Sequence, residues 1–378
     1  MTSTSAITIP RALLPQDGRF GCGPSKIRQQ SIDALAAAAP SLLGTSHRQP
    51  PVRQLVGRVR EGLRELFALP DGYEVVLGNG GATAFWDAAT FSLLRKKSQH
   101  LVYGEFSARF AQAVIAAPHL DAPTVIEAEP GTRARATVQA DIDTYCLVHN
   151  ETSTGVIARV DRPEGTSAAN DQLVLVDATS AAGGLPVLAS NFDCYYFSPQ
   201  KCFASDGGLW IALCSQAAIA RMDSIQHSGR WQPASLDLNI ARANSNSNQT
   251  YNTPALATLF LLAEQITWIL DSGGLSWAAA RCAESAKHLY DWAEQTSHTQ
   301  PFVADPGDRS PVVATIDLIG VDADAVNAVL RANGIVDTDG YRKLGRNQIR
   351  VGMFPAIEPE DVRALTACID FVVERLAS

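Results

Sequence analysis

Lysine is scarce in this chain, and one of its lysines sits where an amine could do chemistry. Among 31 Lys and Arg residues only Lys26, Lys96, Lys97, Lys201, Lys287 and Lys343 are lysines. Lys201 lies in Phe197-Ser198-Pro199-Gln200-Lys201-Cys202-Phe203, just after the apolar run Cys194–Phe197. Small and aromatic neighbours there can desolvate the amine, lower its pKa and make it nucleophilic. The other five end a helical pattern or stand among polar residues. For Lys201 taken alone, a snorkelling surface lysine is the bland alternative. Upstream, Asp177 closes the apolar run Leu173-Val174-Leu175-Val176. A carboxylate at the end of a buried strand lies on the ligand edge of an α/β sheet and needs a cation or several donors to stay charged. A turn or helix cap is the competing reading of Asp177. A third segment, Gly78-Asn79-Gly80-Gly81-Ala82-Thr83, follows the run Glu74–Leu77 and opens a helical pattern expected over Ala84–Lys97. Such a turn bares backbone N–H groups toward an anion, and Thr83 adds a hydroxyl. A plain tight turn is again the alternative. The segment lacks the Lys-Ser/Thr of a P-loop and the third glycine of a dinucleotide fingerprint.

Jointly the three segments meet the needs of pyridoxal phosphate. A lysine condenses with its aldehyde, an aspartate keeps its ring nitrogen protonated, and a helix N-terminus takes its phosphate. An aromatic residue to stack on the ring is also expected. Phe106, in Tyr103-Gly104-Glu105-Phe106-Ser107, is placed for it, although core packing alone would account for a phenylalanine.

These residues need a sheet to carry them. Short apolar runs occur at Glu74–Leu77, Leu101–Tyr103, Thr124–Glu127, Tyr145–Val148, Leu173–Val176, Cys194–Phe197 and Leu209–Leu213. Continuous rather than alternating runs predict strands buried on both faces, hence an open α/β fold with a mostly parallel seven-stranded sheet. The links before Asp177 are long enough for crossover helices; the last two are short. From about residue 253 the pattern changes. Thr253–Leu270 reads as a long helix with Thr253 as cap and Pro254 as first residue. Gly273-Gly274 breaks it, and Leu275–Gln295 is a second helix. A strand at Val312–Leu318, a helix at Ala323–Ala332, a strand at Gln348–Val351 and a helix from Pro359 complete a smaller α+β unit. The expected organisation is an N-terminal arm over 1–20 packing with the small domain, a large domain over 21–268 and the small domain over 269–378.

Composition narrows the functions further. A net charge of −8 argues against a generic nucleic-acid binder, which needs clustered cations. No run approaches the roughly 20 apolar residues of a membrane span, and the first ten residues lack the basic and apolar regions of a secretory signal. The seven cysteines are scattered, without a CxxC pair, as expected of buried thiols in a cytoplasmic protein. The scattered histidines form no HExxH, so no metal site is expected, and no Gly-x-Ser-x-Gly elbow is present.

The sequence resembles the class V aminotransferases of fold type I nearly end to end, and within them the phosphoserine-forming branch of actinobacteria. The resemblance rests on Phe20-Gly21-Cys22-Gly23-Pro24-Ser25, Thr45-Ser46-His47-Arg48, Asn150-Glu151-Thr152, Val176-Asp177-Ala178-Thr179-Ser180, Ser198-Pro199-Gln200-Lys201 and Tyr251-Asn252-Thr253-Pro254. It implies that Ala82, Thr83 and Gln200 bind the cofactor phosphate, that Phe106 stacks on the ring, and that Thr152 and Asp177 touch the ring oxygen and nitrogen. Lys201 would carry the cofactor, and Lys201 and Asp177 are the implied catalytic pair. Asn252 and Thr253 would reach the phosphate from the partner subunit of a homodimer. Arg350 would bind the substrate α-carboxylate, and His47 and Arg48 its distal anion. The implied reaction is ping-pong transamination of 3-phosphohydroxypyruvate by L-glutamate. An alanine–glyoxylate-type transaminase and a cysteine desulfurase are the rivals. The chain departs from the family at Thr83, where many bacterial members carry arginine, and at Tyr341-Arg342, where many have His-Arg. The substrate phosphate then rests more on His47, Arg48 and Arg342.

Overall fold

The structure is a computed structural model that describes residues 7–377. Its main sheet is built from β1 (Glu74–Gly80), β2 (Ser98–Val102), β3 (Thr124–Glu127), β4 (Thr144–Val148), and, beyond a small hairpin of β5 (Asn150–Glu151) and β6 (Val156–Ile157), from β7 (Leu173–Asp177), β8 (Cys194–Phe197) and β9 (Gly208–Cys214). The order across the seven strands is β1-β9-β8-β7-β4-β2-β3. The five strands from β8 to β3 are mutually parallel. β9 runs antiparallel to both β8 and β1. The reason is the short link after Phe197, which cannot make the crossover that a parallel strand requires.

Helices α1 (Gln29–Leu42), α2 (Pro50–Leu66), α3 (Ala82–Ser92), α4 (Glu105–Ile115), α5 (Gln216–His227), α6 (Leu238–Asn246) and α7 (Leu256–Asp271) accompany this sheet. Side chains alternate across β7. Val174 and Val176 join a core with Val59 and Leu63 of α2 and Leu262 and Ile266 of α7. Leu173 and Leu175 join Phe85 of α3, Phe110 of α4 and Met222 of α5 on the other face. Helices on both faces explain why the strand runs are apolar throughout. The remaining chain forms α8 (Gly274–Gln295), β10 (Thr299–Pro301), β11 (Val313–Leu318), α9 (Ala323–Ala332), β12 (Gln348–Gly352) and α10 (Pro359–Leu376), with the three strands antiparallel in the order β10-β11-β12. Their core holds Ile316, Val351, Leu330 and Ile369 together with Ile7, Ile9 and Phe20. Ile9 N donates to Asn333 Oδ1 at 2.9 Å. The first six residues of the expected arm lie outside the described residues. The boundary expected between residues 268 and 269 falls inside α7, and the chain turns at Gly273 and Gly274, with φ of 121° and 74°.

Several expectations are corrected. α3 begins at Ala82 and ends at Ser92, so Arg95, Lys96 and Lys97 are not its last turn. Beyond it the Asp143 carboxylate takes the N–H groups of Lys96 and Lys97 at 2.7 and 2.8 Å, and Arg95 pairs with Asp171. α7 begins at Leu256 behind Ala255 with no side-chain cap. Thr253 is not its cap, because its hydroxyl is engaged with His47 Nδ1 at 3.1 Å. The links from β3 to β4 and from β4 to β7 carry no α-helix. Both contain helix breakers, Pro130-Gly131 in the first and Pro163 and Gly165 in the second. β2 starts at Ser98 rather than Leu101 because its polar start is buried, with Ser98 Oγ 3.0 Å from His100 Nε2. Among the described residues no helix is long and apolar enough to cross a membrane.

Candidate active site

The carboxyl ends of β4, β7 and β8, the N-terminus of α3 and the segment around Cys22-Gly23 enclose a cavity of about 450 Å³. Lys201 enters it from the turn after β8 and is buried. Burial pushes its pKa down from 10.5 to about 8, opposed by the charges of Asp177 and Glu151 and helped slightly by Arg350. Lys201 Nζ donates to Thr152 Oγ1 at 2.6 Å and stands 5.1 Å from the centre of the Phe106 ring. The chain passes so close at Gly23 that a Cβ there would lie 2.9 Å from Lys201 Cε, and its φ of 140° also favours glycine.

Asp177 ends β7 and is buried. Its Oδ2 accepts from Trp86 Nε1 at 3.1 Å and its Oδ1 from Thr179 N at 2.9 Å. These donors keep a buried carboxylate solvated by protein. Ala82 and Thr83 form the first turn of α3, whose cap residue is Gly81 and which has no side-chain cap. First-turn N–H groups have no intrahelical acceptor, so they are free for an anion, and the helix dipole favours one. Glu151 lies under the neighbouring helix start. Its carboxylate accepts from Ser107 N at 2.9 Å, Ser107 Oγ at 2.9 Å, Ser153 N at 3.1 Å and Ser153 Oγ at 2.8 Å. It thereby fixes the first turn of α4, which carries Phe106. Gly104 is required beside it, since a Cβ there would sit 2.3 Å from Glu151 Cγ.

Arg350 reaches the cavity from β12. Its Nη1 donates to Thr152 O at 3.1 Å and its guanidinium lies 5.2 Å from the centre of the Tyr341 ring. The cavity thus gathers Ala82, Thr83, Phe106, Thr152, Asp177, Gln200, Lys201 and Arg350 of the residues singled out in the sequence. His47, Arg48, Asn252, Thr253 and Arg342 do not line it. Arg48 is exposed, with Nη1 3.4 Å from Gln249 Oε1. The carbonyls of Asn252 and Thr253 accept from Asn79 Nδ2 at 3.3 and 3.1 Å. Arg342 is exposed, and its neighbour Tyr341 lines the cavity instead.

Sequence reasoning missed Trp86, Glu151, Ser180 and Tyr341. Trp86 could have been found from its spacing, since it follows Ala82 by one helical turn and shares its face. Glu151 carried a signal as an acidic residue inside a buried motif.

The cavity fits pyridoxal phosphate. Four buried polar atoms on its lining residues have no hydrogen-bond partner: Asn150 Oδ1, Thr179 Oγ1, Gln200 Oε1 and Arg350 Nε. Orphaned groups of that kind call for a polar ligand. A desolvated amine, a strand-end carboxylate and an uncapped helix N-terminus match that ligand's aldehyde, ring nitrogen and phosphate in kind.

Fold and site together define an α/β enzyme whose cavity holds a buried lysine with a lowered pKa. Residues 21–365 match the family described as Aminotransferase class-V. The chain is 61% identical to a putative phosphoserine aminotransferase of Mycolicibacterium vanbaalenii over 371 residues, covering 98% of this chain and 99% of that one. It is 61% identical to a phosphoserine aminotransferase of Nocardioides sp., covering 99% and 100%. The crystal structure of a phosphoserine aminotransferase from Cytophaga hutchinsonii superposes with a TM-score of 0.84 at 25% identity, over 94% of this chain and 99% of that one. The chain belongs to the class V aminotransferase family.

Proposed function

We propose that the chain is a phosphoserine aminotransferase, which transfers the amino group of L-glutamate to 3-phosphohydroxypyruvate and yields O-phospho-L-serine and 2-oxoglutarate for serine biosynthesis. The observation that carries this reading is the convergence of Lys201, Asp177 and the α3 N-terminus on one cavity that also receives Arg350. Relatives of that name at about 60% identity over the full length support the substrate assignment. Bound pyridoxal phosphate supplies a carbonyl for the amine and a ring that takes up the electrons released when a Cα–H bond breaks. Ala82 and Thr83 N–H groups and Gln200 would hold its phosphate, Phe106 would stack on its ring, Thr152 would meet the ring oxygen, and Asp177 would keep the ring nitrogen protonated.

Arg350 clamps the substrate α-carboxylate, for which a guanidinium fork is better shaped than an ammonium. That clamp fixes Cα relative to Lys201. Lys201 Nζ takes the proton from glutamate Cα in one half of the cycle and places a proton on Cα of the product amino acid in the other. A pKa near 8 keeps a useful fraction of the amine neutral at physiological pH. His47, Arg48 and Arg342 bind the distal carboxylate or phosphate. The working unit is a homodimer with shared sites, in which Asn252 and Thr253 serve the partner's cofactor phosphate. We place the enzyme in the cytoplasm, in accord with seven buried free cysteines. The cysteines at the site do not favour desulfurase chemistry: Cys22 and Cys202 are buried and burial pushes both thiols up.

The test is a half-reaction screen. The holoenzyme is titrated with single amino acids while its visible cofactor absorbance is followed. L-Glutamate and O-phospho-L-serine bleach it and L-alanine does not. Bleaching by alanine with none by phosphoserine refutes the substrate assignment.

A further inference from the structure

Lys201 Nζ is 2.6 Å from Thr152 Oγ1, which is 2.9 Å from Ser180 Oγ. Ser180 Oγ is in turn 2.9 Å from the main-chain oxygen of Asn150 and 2.8 Å from Asn150 Nδ2. Asn150, Thr152 and Ser180 are all buried, at 4%, 4% and 1% exposure. Its proton directions follow from counting. A hydroxyl has one proton and two lone pairs, a carbonyl oxygen only accepts and an amide NH₂ only donates. The Asn150 carbonyl therefore claims the Ser180 proton. One Ser180 lone pair takes the Asn150 amide, and the other is left for Thr152. Thr152 must then give its only proton to Ser180, and its oxygen can meet Lys201 only as an acceptor.

We infer that Ser180 is a positioning residue that fixes the direction of the Thr152–Lys201 hydrogen bond and so keeps the lone pair of the neutral Lys201 amine turned away from Thr152. The inference rests on the reading of Lys201 as the acting amine. With Ser180 in place, the amine donates one N–H to Thr152 and its lone pair stays free to attack a carbonyl or take a proton. Without Ser180, the Thr152 hydroxyl can turn its proton onto Nζ and occupy that lone pair. The chain of hydroxyls ends on a carbonyl, so it orients a proton and does not relay one. Asn150 contributes twice, through its carbonyl and its amide, which gives the Asn150-Glu151-Thr152 motif a function for its first residue. Glu151 holds the helix that carries Phe106, and Thr152 meets the lysine.

The experiment compares Ser180→Ala with the parent holoenzyme in a single-turnover half-reaction with L-glutamate and with L-glutamate deuterated at Cα. The expected result is a rate constant lower by about tenfold, in line with the worth of one hydrogen bond, together with a larger isotope effect. Glutamate affinity and cofactor retention should be nearly unchanged. In cofactor-free protein, the pH midpoint for capture of pyridoxal phosphate should fall, because a hydrogen bond to the neutral amine favours that form. A rate, isotope effect and pH midpoint all equal to the parent's overturn the inference. Lys201→Ala separates the two readings. If it still turns over, the role of Lys201 fails. If it is inert while Ser180→Ala behaves as the parent, only the role of Ser180 fails. Should the alanine variant not fold, Ser180→Cys, whose sulfur is a weak acceptor, carries the same expectation and the same refutation.

Discussion

Replacing Lys201 by methionine should stabilise the cofactor-free protein, and the gain should vanish with rising pH. The amine is buried, and burial lowers its pKa from 10.5 to about 8. At about 1.4 kcal/mol per pK unit, holding the charged amine inside costs about 3 kcal/mol. Below pH 8 the amine is protonated in both folded and unfolded chains, so the whole cost is present. Between pH 8 and 10.5 the folded chain has lost the proton and the unfolded chain keeps it. Unfolding then takes up a proton, and stability rises with pH. Above 10.5 the amine is neutral in both states and the cost is gone. Methionine has a similar length and no charge, but it leaves the Thr152 oxygen without its donor, a loss of about 1 kcal/mol. The expected net gain for Lys201→Met is about 2 kcal/mol at pH 7, shrinking to nothing near pH 10. Urea unfolding of both proteins across that range measures it, at one fixed protein concentration because any subunit association would add to apparent stability. Equal stability at pH 7, or a gain that does not change with pH, would refute the placement of Lys201 as a desolvated amine.

Three further outcomes are expected. Glu151→Ala strands the buried N–H groups of Ser107 and Ser153, which should lower unfolding stability by about 3–5 kcal/mol, whereas Glu151→Gln retains one acceptor oxygen and should lose about half as much; a denaturant series on both variants checks this. Asp177→Asn removes the charge proposed to hold the ring nitrogen protonated while keeping an acceptor for Trp86, so kcat should fall by at least about a hundredfold with cofactor still bound; steady-state kinetics and cofactor absorbance measure the two. Arg350→Lys exchanges a bidentate fork for a point charge, so KM for glutamate and for phosphohydroxypyruvate should rise together by about tenfold or more, with a smaller change in kcat.

The sheet was legible because its central strands are buried on both faces, so Leu173–Val176 and Cys194–Phe197 are uniformly apolar. Lys201 and Asp177 were legible because chemistry at a strand end needs few residue types and lysine is rare here. Their supports were not. Glu151 and Ser180 act through partners distant in sequence, as in Glu151 with Ser107 and Ser180 with Asn150, and no local spacing encodes those bonds. The ends of α3 and α7 were misjudged for a related reason. Asp143 and His47 draw Lys96, Lys97 and Thr253 into tertiary bonds that override cap preference. The missing crossover helices were visible in hindsight, since Pro130-Gly131 and Pro163 lie in those links.

Lys201 and Arg350 are the only cations among the described residues that line the cavity. Both substrates carry an α-carboxylate and a second anionic group, so the cavity lining supplies a clamp for the first and none for the second. Of the three groups proposed for the second, Arg342 follows the cavity residue Tyr341, while His47 and Arg48 lie together elsewhere. His47 is joined to Thr253, and Arg48 to Gln249, so the segment between α1 and α2 and the segment before α7 form one unit. In that unit the buried His47 Nε2 has no partner, and Tyr251 is 44% exposed. Because Thr253 and His47 are bonded to each other, whichever site receives Thr253 also receives His47 and Arg48. If Thr253 serves the partner's cofactor, the distal pocket comes from the partner as well. Subunit mixing decides it. Lys201→Ala and Arg48→Ala proteins, each expected to be nearly inactive with phosphohydroxypyruvate, are dissociated, combined in equal amounts and reassociated as the proposed dimers. Half of the dimers are then hybrids, and each hybrid has one site with an intact Lys201 facing an intact Arg48 from the other chain. Activity should return to about a quarter of the parent value. If Arg48 acts within its own chain, no hybrid has a complete site, and activity stays at the level of the separate variants.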